Sequence, residues 1–338
     1  MNTIGMQEIS AGDIILYHSN SLLANLIQFF DGTEVNHASV CIGDGKVVEA
    51  VGAGIKCNAI GDSIHDAEYV IVRRMKTDPG TMQPVVDKAN WYLQIGNRYG
   101  YEQLVLLAIL GLTRKLQVNN YLSWLLRKIF DQAAAILMKQ GDRQPMICSE
   151  FVYRCYDEAL PVAHDPYCLD IAPFPGLVRD AIQGVRGPKK APEPSNIHRD
   201  SLLFWACNVA GSRSFLSDFL PRPSGKRSRR ALSAEEKRMA KMSIDDLASN
   251  YLKEVKKPKT RSLELEASLR SPQLLKSIYE FSKSFYAVTA VGNTATAPRS
   301  LEKDIPSVLD HLLRTVGDFV TPGDLYKCDN LSSIGRIS

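Results

Sequence analysis

The chain has no unbroken apolar run of the roughly 20 residues that a membrane-spanning helix takes. Its best candidate, Leu104 to Leu112, stops at Thr113-Arg114-Lys115. The opening residues MNTIGMQEISAGD hold no basic segment ahead of an apolar core, so a standard secretory signal is not expected. A cytoplasmic location follows as the expectation, and an exported effector would begin the same way. Seven cysteines (41, 57, 148, 155, 168, 207, 328) are an odd number and contain no CxxC pair. That argues against a disulfide framework or a structural zinc site and for at least one free thiol. There is no Gly-rich phosphate loop, no HExxH and no Ca²⁺-binding loop, so no cofactor and no metal is implied.

What is present is an ordinary globular composition of 338 residues, 45% apolar and 23% charged, long enough for two domains. The net charge of +4 hides an asymmetry: residues 186 to 259 hold 17 Lys/Arg and 8 Asp/Glu, leaving a mildly acidic remainder. The stretches 187–195 (GPKKAPEPS) and 221–232 (PRPSGKRSRRAL) read as basic, Pro-containing linkers. Lys226, Arg227, Arg229 and Arg230 lack interleaved aromatics, so a solvated linker is expected there and nucleic acid is not an expected partner.

Ile14-Ile15-Leu16-Tyr17 reads as a short buried strand. A helix capped by Ser19 or Asn20 should run to about Phe30 and end at Asp31-Gly32. Residues 37–42 and 46–51 flank Gly43-Asp44-Gly45 and form a hairpin signal, with a further strand at 69–73. Helical patterns cover 83–95, 102–112, 120–139 and 149–160, and resume near 233–255, 262–286 and 301–316. In the helix at 149–160, Phe151, Cys155 and Ala159 make one stripe; Val152, Tyr156 and Leu160 make the next.

Among the cysteines, Cys148 has the most suggestive position, because Pro145 precedes it and a helix starts directly after it. Unpaired N–H groups and the positive end of the helix dipole favour a thiolate there. A cysteine at a helix start also serves simply for packing. His37 opens a strand whose face carries His37, Ser39 and Cys41 opposite an apolar face. It is a candidate base, or a histidine capping a strand edge. An odd loop at 43–45 would pair Ser39 with Glu49 and set Glu49 diagonally across from His37, where a carboxylate orients an imidazole. An even loop would send Glu49 to the other face, where it would be an exposed strand carboxylate.

The segments GDIILY (12–17), NHASVCIGDGKVVEAVG (36–52), IGNRYGYEQ (95–103) and ICSEFVYRCYDEAL (147–160) occur in that order. Together they resemble the circularly permuted branch of the NlpC-type papain-like superfamily, nearest its YiiX/YebB-like group. Lecithin retinol acyltransferase-like enzymes are more distant relatives. The resemblance covers about residues 10 to 160. It implies an α+β fold in which an antiparallel sheet packs against the helix bearing a nucleophilic cysteine. It also implies Cys148 as nucleophile, His37 as base and acid, and Glu49 as the residue that orients His37. Phe319-Val-Thr-Pro-Gly-Asp-Leu325 resembles the segment that closes shorter members of the group, although Thr-Pro-x-Asp also suits a simple helix cap. A catalytic core of residues 1–165 completed by 316–338 is therefore expected, with 166–315 a mainly helical insertion.

The implied activity is cleavage of an amide or peptide-type bond through an acyl-enzyme. A lipid acyltransferase or phospholipase, or a binding module with a vestigial site, are the alternatives. Tyr17 and Tyr99 are candidate cleft residues, and Tyr99-Gly100-Tyr101 departs from the Tyr-Asp pattern expected of the group. The greasy surface around Trp124, Leu125, Leu126, Ile129 and Phe130 suggests either a peripheral membrane contact or acyl-chain pocket, or two ordinary core helices.

Overall fold

The computed structural model describes residues 2–95, 98–100, 103–117, 119–139, 144–160, 165–171, 197–198, 200–210, 233–256, 271–289, 308–309, 311–313 and 319–338. Both basic linkers lie outside the described residues, as does most of the helix expected at 301–316. The described residues form two compact units. The first comprises Met1–Leu106, Arg143–Ser195 and Asp318–Ser338, and the second comprises Leu107–Asp142 and Asn196–Gly317. Residues 107–142 thus group with the second unit, whereas the sequence left them with the first.

The first unit is α+β. A six-stranded antiparallel sheet is built from β1 (Ile14–His18), β2 (His37–Gly43), β3 (Lys46–Val51), β4 (Gly54–Ala59), β5 (Tyr69–Met75) and β8 (Leu331–Ile337), in the order β4-β3-β2-β1-β5-β8. Period-two alternation divides its side chains between two cores. Ala38, Val40, Val48 and Ala50 pack with Phe151, Val152, Cys155 and Tyr156 of α6 (Cys148–Asp157), while Ile15, Tyr17, Cys41 and Val47 face the other way. Both apolar stripes expected of α6 therefore point into one core, which fixes the helix on the sheet.

Around the sheet run α1 (Leu22–Asp31), α2 (Ile60–Ile64), α3 (Gln83–Ile95) and the start of α4 (Gln103–Thr113). Ser21, rather than Ser19 or Asn20, caps α1 by accepting from the Ala24 N–H at 3.1 Å, and Gly32 ends it at φ 67°. Two short strands, β6 (Arg98–Gly100) and β7 (Gln144–Met146), pair in parallel and lead into α6. The C-terminal stretch adds α11 (Pro322–Lys327) as well as β8. Thr321 caps α11, and its Oγ1 donates to Asp31 Oδ1 at 3.0 Å.

The second unit contains α5 (Leu122–Lys139), α7 (Leu202–Ala210), α8 (Ala234–Lys241), α9 (Ile244–Val255) and α10 (Pro272–Thr289). The single helix expected at 233–255 is two, because Ser243 caps a new start. Leu125, Leu126, Ile129 and Phe130 are all fully buried, and Phe130 packs its ring 5.9 Å from Phe281 of α10. At these four positions the greasy stretch is core, as the second of the two readings expects.

Candidate active site

Cys148 is the first residue of α6. Ile147 ahead of it is extended (φ −81°, ψ 155°) and offers no side-chain cap, so first-turn N–H groups stay available beside the sulfur. His37 acts electrostatically on the Cys148 thiol, and the backbone N–H groups of Ala38 and Ser149 favour its thiolate. His37 Nε2 lies 2.7 Å from Glu49 Oε2, which leaves Nδ1 for the thiol. The structure therefore brings all three residues together.

Burial disfavours charge on each member of this group. On Cys148 it is outweighed by the His37 charge and the two backbone N–H groups, and the thiol is drawn below its ordinary value. His37 is raised for the reciprocal reasons, burial being overcome by Cys148 and then by Glu49. Glu49 is lowered although buried, because His37, Asn58 and Ser63 all stabilise its charge. Both shifts favour thiolate on Cys148 and imidazolium on His37. Other thiols go the opposite way: burial pushes Cys41 and Cys155 up, and Cys328 to about 11. None of the seven cysteines is joined in a disulfide.

Two residues that the sequence did not single out, Asn58 and Ser63, complete the site. Glu49 Oε1 accepts from Asn58 Nδ2 at 2.8 Å and from Ser63 Oγ at 2.9 Å. Ser63 lies 2.6 Å from the Tyr17 hydroxyl, which lies 2.7 Å from Ser39 Oγ. Each hydroxyl has one proton, so the carboxylate sets the direction: Ser39 donates to Tyr17, Tyr17 to Ser63, and Ser63 to Glu49. Asn58 sits on β4, whose Lys56 is the partner of Glu49, so it is a diagonal neighbour on the same sheet face. The Gly52-Ala53-Gly54 turn followed by alternation was the signal available for β4.

Tyr17 does line the cleft, and its ring centroid is 5.0 Å from that of His37. Its hydroxyl, however, is committed to the serines. Burial, then the Glu49 charge, raises its pKa, so it stays a neutral donor. Tyr99 lies in β6, and its side chain is outside the described residues. A cavity of about 520 Å³ opens beside Tyr17, His37 and Glu49, a size usual for ligand sites. Cys148, 6% exposed, is not among its lining residues.

No family model matches the chain. It is 26% identical over 157 residues to the probable lipoprotein peptidase YaeF of Escherichia coli (strain K12), a match covering 45% of this chain and 57% of that protein. The YiiX/YebB-like resemblance is borne out. The chain spans little more than half the length of this curated relative. It is also similar, at 20% identity, to the crystal structure titled metalloprotein yiiX from Escherichia coli O157:H7, with 45% of this chain and 67% of that one covered. The TM-score is 0.28, too low for that fold to be transferred. Among the described residues there is no cluster of three or more His, Cys, Asp or Glu that could hold a metal ion.

One expectation needs correction. A cytoplasmic location was expected from the opening residues, whereas the curated relative is named as a lipoprotein, a class attached to membranes. No described helix is long and apolar enough to cross a membrane.

Proposed function

We propose that the chain is a cysteine-dependent hydrolase of amide or peptide-type bonds, acting on a circularly permuted papain-like core. The observation that supports this is the His37 Nε2–Glu49 Oε2 contact at 2.7 Å, with the Cys148 thiol drawn down by the His37 charge and the imidazole raised. The Cys148 thiolate attacks the substrate carbonyl carbon, and the Cys148 N–H faces the developing oxyanion. His37 gives its proton to the leaving amine as the C–N bond breaks. The neutral imidazole then takes a proton from water, whose hydroxide attacks the thioester and frees the carboxylic acid and the thiol. Glu49 keeps the imidazole oriented throughout. The printed name of the curated relative, a peptidase, supports a peptide-type substrate.

Residues 1–165 with 316–338 serve as the catalytic core in this reading, less 107–142, which group with the second unit, and 166–315 as an insertion. With Leu125 and Phe130 buried, the lipid acyltransferase alternative rests on the family resemblance alone. A vestigial site would have no need of the filled hydrogen-bond shell around Glu49.

The test is the pH dependence of Cys148 alkylation by iodoacetamide. The rate should hold well below the ordinary thiol pKa of about 8.5 and fall sharply in His37→Ala. An ordinary thiol profile, unchanged by His37→Ala, would overturn the proposal. Product analysis with peptides, and separately with phospholipid vesicles, reads out the bond cleaved; loss of acyl chains from the vesicles alone would also count against it.

A further inference from the structure

Asn36 is 1% exposed, stands next to His37 and lines the same cavity. Its Oδ1 accepts from the Ser19 backbone N–H at 2.8 Å and from Gln28 Nε2 at 3.3 Å. A backbone N–H only donates, so the amide oxygen must face Ser19, and the amide cannot be turned over without losing that bond. Gln28 is itself held by donating to Ser19 O at 3.1 Å, and the Asn36 N–H donates to Tyr17 O at 2.9 Å. The side chain is clamped at its oxygen end. Its other end, Nδ2, is buried and finds no hydrogen-bond partner among the described residues.

A buried amide donor left unpaired is costly, and folded proteins seldom retain one without use. Here the unpaired donor belongs to a residue of the cavity wall, beside the imidazole that contacts the thiol. We propose that Asn36 Nδ2 is a substrate-binding donor that hydrogen-bonds a carbonyl oxygen of the amide substrate occupying this cavity. The inference rests on the hydrolase reading and adds to it a residue that fixes the substrate rather than the nucleophile. It also accounts for the clamp: Ser19 and Gln28 hold the amide so that its N–H groups, and not its oxygen, are presented to the substrate.

Asn36→Asp keeps an oxygen for Ser19 and Gln28 but replaces the donor with an acceptor. The full chain and this variant would be compared in two reactions. One is acylation of Cys148 by the p-nitrophenyl ester of N-acetyl-alanyl-alanine, followed by p-nitrophenolate release. The other is alkylation by iodoacetamide, which needs only the thiolate. The variant should be acylated roughly tenfold or more slowly while its alkylation rate stays within about twofold. Should Asn36→Asp fail to fold, Asn36→Ser removes Nδ2 without adding charge and is read the same way. Equal loss in both reactions would mean that Asn36 acts through the Cys148–His37 pair, and unchanged acylation would mean that it binds no carbonyl. Either result overturns the proposal, as would an unmodified chain that alkylates readily but resists the ester. Failure of the hydrolase reading itself appears separately, as ordinary alkylation in the unmodified chain.

Discussion

Both oxygens of Glu49 are occupied, Oε2 by His37 and Oε1 by Asn58 and Ser63, and its side chain is 6% exposed. A carboxylate so enclosed is placed to orient and to balance charge. Glu49→Gln removes the negative charge that helps to raise His37, so the imidazolium becomes easier to lose and the thiolate loses its counter-ion. The lowered Cys148 pKa means that thiolate is present above it, and the raised His37 pKa means that imidazolium is present below it. The reactive pair fills the interval between them. Glu49→Gln should therefore move the upper edge of that interval, where His37 loses its proton, to lower pH by roughly one unit, equivalent to about 1.4 kcal/mol, as read by NMR titration of the His37 ring. Ser63→Ala takes one donor from Oε1 and breaks the hydroxyl chain from Ser39. It should shift the same edge in the same direction by less than Glu49→Gln does, with the folded state kept; a shift to higher pH would contradict the ordered chain of donors.

At the level of elements, the β2–β3 hairpin decides whether Glu49 and His37 share a face. The turn contains two residues, Asp44 and Gly45, both left-handed (φ 50° and 65°), rather than the three expected from the sequence. A two-residue turn alone would have put Glu49 on the wrong face. The ladder instead shifts between Cys41 and Gly43, and beyond the bulge Val40 pairs with Val48, which returns Ser39 to a place opposite Glu49. The alternation of β2 and β3 thus showed the pairing, but residue counting could not distinguish a three-residue loop from a turn plus a bulge. Cys148, His37 and Glu49 were singled out by their places in a pattern together with the family resemblance. Asn58 and Ser63 were not, since they lie on β4 and α2, whose short, partly exposed segments carry little periodicity. Gly43 sits in the bulge at φ 94°, where a side chain strains the backbone. Gly43→Ala should cost about 1–2 kcal/mol in urea unfolding. Gly45→Ala should cost a similar amount, and a loss far larger in one than in the other would show that turn and bulge are not comparably strained.

At the scale of the whole molecule, the sheet is closed by residues that follow the second unit in the chain. β8 pairs along β5 from Val70↔Ile337 to Met75↔Leu331, and Arg336 exchanges backbone hydrogen bonds with Asn2 and Ile4 at 2.8 and 3.0 Å. Ser149, directly after the nucleophile candidate, donates to Val320 O at 2.7 Å, so the start of α6 is tied to this returning segment. The sequence hinted at the return through Thr321-Pro322-Gly323-Asp324-Leu325 but gave no sign of β8, an edge strand of small and polar residues in which only Leu331, Gly335 and Ile337 are buried. The anchor is Asp31 at the end of α1, 5% exposed, which accepts from Thr321 Oγ1 at 3.0 Å and from the Gly323 N–H at 2.8 Å. Asparagine has one acceptor oxygen for these two donors, and Thr321 Oγ1 can turn to Asp324 Oδ2 at 2.9 Å, so Asp31→Asn should cost about 1 kcal/mol for the lost charge-assisted bond. Gly323→Ala reaches the same contact from the other side, because a Cβ there would stand 2.5 Å from Asp31 Oδ2. Both substitutions act on one contact, so the double variant should unfold in urea with less than the sum of the two single losses. Full additivity would show that Asp31 and Gly323 do not form the joint that holds the C-terminal segment to the core.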